Sequence, residues 1–155
     1  MSYLLLKCIH IISSTLLFGT GLGTAFHGLL AYRTADAKIV AAVGRSVVLA
    51  DWLFTAPAVI VQPITGIMLI NAEGWDITTP WLVLALALYV FVGACWLPVV
   101  WLQIQLRRFA NEALAQDAPL PAAYYRYTRA WFLLGWPAFA AVLGIFYLMI
   151  CKPDL

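Results

Sequence analysis

Hydrophobic positions along this chain fall into four long runs, at about residues 3–32, 46–71, 80–106 and 127–151, with polar and charged residues gathered in the short stretches between them. Each run reaches or exceeds the ~20 residues a helix needs to cross ~30 Å of hydrocarbon. The pattern predicts four transmembrane helices and an all-α membrane protein in one domain, 1–155. Short connections between successive helices favour antiparallel neighbours, so an up-down four-helix bundle is expected. The first run is too long for the apolar core of a secretory signal and is read as a retained helix.

Composition agrees with that reading. The chain is 65% hydrophobic and 10% charged, where soluble domains carry about 25% charged residues. Charge then sets an orientation. Arg33, Lys38, Arg45, Arg107, Arg108, Arg126 and Arg129 flank the first and third connections, whereas the middle one, "NAEGWDITTP", has no basic residue. The positive-inside rule makes the basic side cytoplasmic and leaves both termini periplasmic. Tyr3, Trp75, Trp81 and Tyr147 are expected in an outer aromatic belt, with Tyr32, Tyr124, Tyr125, Tyr127 and Trp131 in an inner one. The net charge of +2 is thus an orientation signal, with no sign of nucleic-acid binding.

Lipid gives no hydrophobic reward for helix association, so close backbone approach at small residues matters. Thr15, Gly19 and Gly23, continued by His27, form a ridge at four-residue spacing and predict a helix-packing face. "GTGLGT" does not read as a dinucleotide motif, since no strand precedes it. Pro57, Pro63, Pro98 and Pro137 lie inside the runs, where each removes a backbone donor and can bend its helix.

The candidate chemistry lies in polar residues at depth. His10 and His27 are 17 positions apart, about 25 Å along one helix, so they cannot share an ion. Near the basic end, an ionised Asp51 would cost about 2.5–3.5 kcal/mol at mid-bilayer and calls for an inward-facing partner. His27, Arg45 or Arg129 could supply one, with Gln103 adding hydrogen bonds. This polar cluster of His27, Asp51, Gln103 and Arg129 reads either as a clasp between the first two helices or as a proton-transfer site. Near the other end, His10 has Lys7, Ser13 and Ser14 on its own helix and Gln62 and Asn71 as possible company. There it can ligate haem or simply hydrogen-bond a neighbour. The three cysteines make no metal-site spacing. Cys95 reads as a small apolar filler, and Cys8 and Cys151 fall toward one face, where they can pair if the first and last helices are neighbours.

The runs "HIISSTLLFGTGLGTAF" (10–26), "ADWLFTAPAVIVQPITG" (50–66), "ACWLPVVWLQIQLRRFA" (94–110) and "GWPAFAAVLGIFYLM" (135–149) together resemble a family of predicted bacterial integral membrane proteins of unknown function. That resemblance implies four membrane helices in a bacterial inner membrane. A more distant similarity is to the HemJ-type protoporphyrinogen oxidases and CopD-type membrane domains, carried by His10 followed by Leu17 and Gly19. It implies His10 as a ligand of haem b. The arginine-bearing "L-P-R-L" segment of those proteins is absent here, and so is a mid-membrane lysine in the third helix. The expectation is an inner-membrane protein linked to redox or haem chemistry, in electron transfer or a respiratory assembly. The alternatives are a cofactor-free accessory subunit docking a larger membrane complex or forming a homo-oligomer, and a small proton-coupled carrier.

Overall fold

A computed structural model describes residues 2–154. Its helices are α1 (Tyr3–Thr34), α2 (Ala37–Ala50), α3 (Ala56–Glu73), α4 (Pro80–Ala115) and α5 (Ala122–Cys151), with a π-helical turn, Asp51–Thr55, joining α2 to α3. The segment from Ala37 to Glu73 thereby runs as one span. With α1, α4 and α5 it makes four helices long and apolar enough to cross a membrane, and no strand occurs among the described residues.

Local chemistry sets the helix ends. Ser2 caps α1 by accepting from the Leu5 N–H, and Asp36 caps α2 by accepting from the Lys38 N–H at 2.8 Å, which satisfies amides the first turn leaves over. Only Ala35 and Asp36 separate α1 from α2, so the two form a tight antiparallel hairpin. Gly74 closes α3 in the left-handed region at φ 70, a conformation that suits glycine and turns the chain back toward Glu73. In the following loop the Thr78 N–H and hydroxyl both donate to Asp76 and hold its carboxyl below the usual carboxylate range.

The second span begins nine residues earlier than the expected boundary of 46. "AKIVAAVGR" reads as a connection because it holds Lys38 and Arg45. In the structure both cations point outward while Val40, Ala41 and Val47 are buried. The π-helical turn also has a local cause. Pro57 has no N–H to offer the Leu53 carbonyl, and its ring crowds that turn; the backbone widens, and the Ala56 N–H bonds instead to the Asp51 carbonyl, five residues back. Pro63, Pro98 and Pro137 sit inside helices that continue through them.

α1 packs on α2 and α3, α4 packs on α5, and α2 joins the two pairs through α4, whereas the backbones of α3 and α4 do not approach each other. The bundle is therefore tight at its basic end and open along α3. At the basic end Ala31, Val40, Ala41, Ala110, Ala113, Leu120 and Tyr124 make one buried cluster whose alanines allow close approach. Across the gap, contact passes through side chains: the Tyr89 hydroxyl donates to the Val59 carbonyl at 2.6 Å, and Ile70 packs against the Trp81–Leu82 cluster. Phe18 of α1 reaches α5 by stacking on Phe139 with centroids 5.0 Å apart.

The end opposite the basic connections is tied by Glu73. It accepts from the Tyr3 hydroxyl, from Trp75 Nε1 at 2.7 Å and from Lys152 Nζ at 3.1 Å. Lys152 also lies 4.9 Å from the Trp75 ring centroid, a cation–π contact. Both chain ends and the α3–α4 loop thus meet at one surface. Cys95 is buried, and Cys8 and Cys151 are exposed free thiols.

Candidate functional site: two polar sites at different depths

The first site lies between α1 and α3. Gln62 Nε2 is 3.2 Å from His10 Nε2, and His10 Nδ1 is 2.8 Å from Thr65 Oγ1. Ser13 donates to Gln62 Oε1, and the Thr65 hydroxyl donates to the Val61 carbonyl at 2.7 Å. These bonds run in one direction, from Ser13 through Gln62 and His10 to Thr65 and the backbone. An amide N–H facing Nε2 makes that nitrogen the acceptor, so the proton of the neutral ring sits on Nδ1. Gly66 makes room: a Cβ there would sit 3.4 Å from His10 Cε1. Of the company expected for His10, Ser13 and Gln62 are present. Ser14 bonds its own helix at the Ile11 carbonyl, and Asn71 is exposed. Thr65 and Gly66 are additions that no spacing signal marked. Since both ring nitrogens are engaged by side chains of the chain itself, the site in this arrangement does not fit a haem iron, which needs one nitrogen lone pair.

The second site is built around Asp51, at the start of the π-helical turn. Fourteen positions separate Asp51 from Ala37, about 21 Å of rise, while seven separate His27 from Thr34, about 10 Å. The two residues counted as level thus lie at different depths. His27 is exposed on α1, Arg129 and Arg45 are exposed too, and none of them bonds Asp51. What surrounds the buried carboxyl is Thr55, which donates to Oδ1 at 2.9 Å, and Gln103 of α4. The second oxygen, Oδ2, has no hydrogen-bond partner in the chain, and the same holds for Gln103 Oε1 and Trp131 Nε1.

Gln103 and Trp131 share one region, and Asp51 adjoins it through Gln103. Gln103 and Trp131 line a cleft of about 50 Å³ among α1, α2, α4 and α5, with Gly28, Gly44, Arg107 and Thr128 also on its walls. A space of that size holds water. Gly28 shapes it, because a Cβ there would come within 3.0 Å of Trp131 Cη2. An orphan acceptor and an orphan donor therefore belong to two residues of one cleft wall, with the half-satisfied Asp51 carboxyl next to Gln103, inside membrane-spanning helices where each unsatisfied group is expensive. Among the described residues no cluster of three or more His, Cys, Asp or Glu side chains is placed to hold a metal ion.

The ridge of Thr15, Gly19 and Gly23 faces outward. All three residues are exposed, and a Cβ added at either glycine would meet no atom within 4 Å. Among the described residues no helix covers that face.

Four apolar spanning helices with polar groups held at depth define a multi-pass integral membrane protein. The chain belongs to the family described as predicted integral membrane protein (DUF2269), whose model matches residues 4–153. No curated protein and no solved structure matches it.

Proposed function

We propose that the protein transfers protons in a bacterial inner membrane, with its basic end cytoplasmic, both termini periplasmic, and Asp51 as the group that takes up and releases the proton. The observation that carries this reading is the buried Asp51 carboxyl, whose Oδ2 has no partner and which stands beside Gln103, a residue that with Trp131 lines a cleft. Ionisable groups inside a membrane are functional by default, and buried polar atoms without partners are the places where an exchanging proton, water or ion is handled. Water in the cleft brings the proton as far as Gln103, which stands beside the Asp51 carboxyl. Thr55 fixes the other oxygen, so the carboxyl keeps one orientation while its charge changes.

The test is proton flux in liposomes reporting internal pH under an imposed gradient. Asp51→Asn keeps the shape and removes the titrating group, so flux should fall to the protein-free level; equal flux in the variant discards the reading.

A second reading is favoured by the uncovered ridge of Thr15, Gly19 and Gly23, which suits another membrane helix from a second copy or a larger complex. A haem-linked redox role at His10 requires Gln62 or Thr65 to release a ring nitrogen. Protein from haem-replete cells would then show a Soret band that His10→Ala removes.

A further inference from the structure

Among the described residues, Arg107 is the only arginine that is not exposed. Its stem is held against α2, where a Cβ at Gly44 would lie 3.4 Å from Arg107 Cβ. Among the described residues it makes no ion pair. The nearest acid along the helix, Glu112, is taken by Arg108 at 2.7 Å, and Glu73 pairs with Lys152 at the other end of the molecule. A guanidinium is never neutral in a protein, and a half-buried one needs an anion.

Arg107 opens onto a shallow groove of about 400 Å³ lined by Ile104, Arg107, Arg108, Asn111, Glu112 and Ala115. These positions share one face of α4, spaced by three or four residues. Toward mid-membrane the face is apolar at Ile104, then basic at Arg107 and Arg108, then polar at Asn111 and Glu112. The same level carries an aromatic belt: Tyr127 lies 5.6 Å from Trp101 and 5.3 Å from Phe109, centroid to centroid. Trp and Tyr gather where headgroups begin. The groove thus repeats, in order, the acyl chain, phosphate and hydrated headgroup of a phospholipid.

We infer that this groove binds the phosphodiester of an anionic phospholipid, held by the Arg107 fork with Asn111 donating to the headgroup. With Arg108 neutralised by Glu112, the face keeps one net positive charge, which matches a monoanionic lipid such as phosphatidylglycerol rather than a zwitterionic one. Planar, forked recognition of phosphate is the chemistry arginine supplies. The acyl chain lies along Ile104, and cationic side chains just beyond an apolar span attract anionic headgroups.

The experiment is native mass spectrometry of the full chain released from nanodiscs of phosphatidylcholine with phosphatidylglycerol. About one phosphatidylglycerol should stay with each wild-type chain. Arg107→Gln should lower that retention about tenfold, the loss of one charged, forked contact. Arg126→Gln, which removes an exposed arginine from the same end, should leave it unchanged. Asn111→Leu at an exposed position gives a second variant that does not strain the fold and should lower retention severalfold. Equal retention in Arg107→Gln and wild type, equal retention of phosphatidylcholine, or displacement by millimolar inorganic phosphate overturns the inference, the last by showing a site for a soluble anion. Arg107 also lines the cleft next to Asp51, so Asp51→Asn is the control: it should not alter lipid retention, and the lipid reading then fails or holds independently of the proton flux.

Discussion

The His10 and Asp51 sites are built from the same kinds of side chain and differ in what is left over. At His10 both ring nitrogens and the Thr65 hydroxyl have partners in a directed chain linking α1 to α3. At Asp51 one carboxyl oxygen remains without a partner, as do the amide oxygen of Gln103 and the indole N–H of Trp131, two residues of the adjoining cleft. The first arrangement is what a membrane fold uses to join helices, since each interhelical hydrogen bond contributes roughly 0.6 kcal/mol on average. The second adds little to the fold and fits a site retained for use. Replacing a polar side chain by an apolar one should therefore differ in sign between the two places.

The largest effect is expected from Gly28→Ala. Its methyl group would press on Trp131, so unfolding in mixed micelles should show a loss of about 1–3 kcal/mol, together with reduced proton flux as the cleft narrows. His10→Ala should lose about 1–2 kcal/mol, because Gln62 and Thr65 are both left without the ring, while proton flux stays at the wild-type level. Loss of flux there would erase the distinction between the sites. Gln103→Leu should move stability the other way, by up to about 1 kcal/mol, since it replaces an unpartnered buried acceptor with an apolar group of similar shape, and flux should drop. A destabilised Gln103→Leu protein with full flux would mean that the Asp51 cleft is as structural as the His10 site. The smallest change is Thr65→Val, about 0.6 kcal/mol destabilising, measured in the same unfolding assay.

The difference between the sites also marks how far the sequence can be read. Hydrophobic run length exposes the four spans because crossing a bilayer is a requirement on length and polarity alone. Where a span begins is less visible when an amphipathic turn carries cations. Lys38 and Arg45 mask the start of α2, although Asp36, a good N-cap residue, marks it. That one displaced boundary carries Asp51 away from the level of His27, and the expected pairing with His27 and Arg129 goes with it; Gln103 alone of that group stays beside the carboxyl. Ser13 and Gln62 around His10 are legible because polar residues at one depth have few partners to choose from. Thr55, one turn beyond Asp51, was within reach of the same reasoning. Trp131 was not: beside Tyr124, Tyr125 and Tyr127 it reads as a position of the inner aromatic belt, whereas the structure buries its ring as a cleft wall.

The π-helical turn at Asp51–Thr55 sets the angular phase between the two halves of one span. A regular helix advances 100° per residue, so removing one residue from this turn would rotate α3 about its axis by roughly that angle relative to α2. Gln62 and Thr65 would then swing away from His10 while Asp51 kept its place beside Gln103. The turn works as an indexing step: it lets the membrane-facing pattern of α2 and that of α3 be chosen independently, and it puts the one acidic side chain buried in the span at the point where the two phases meet.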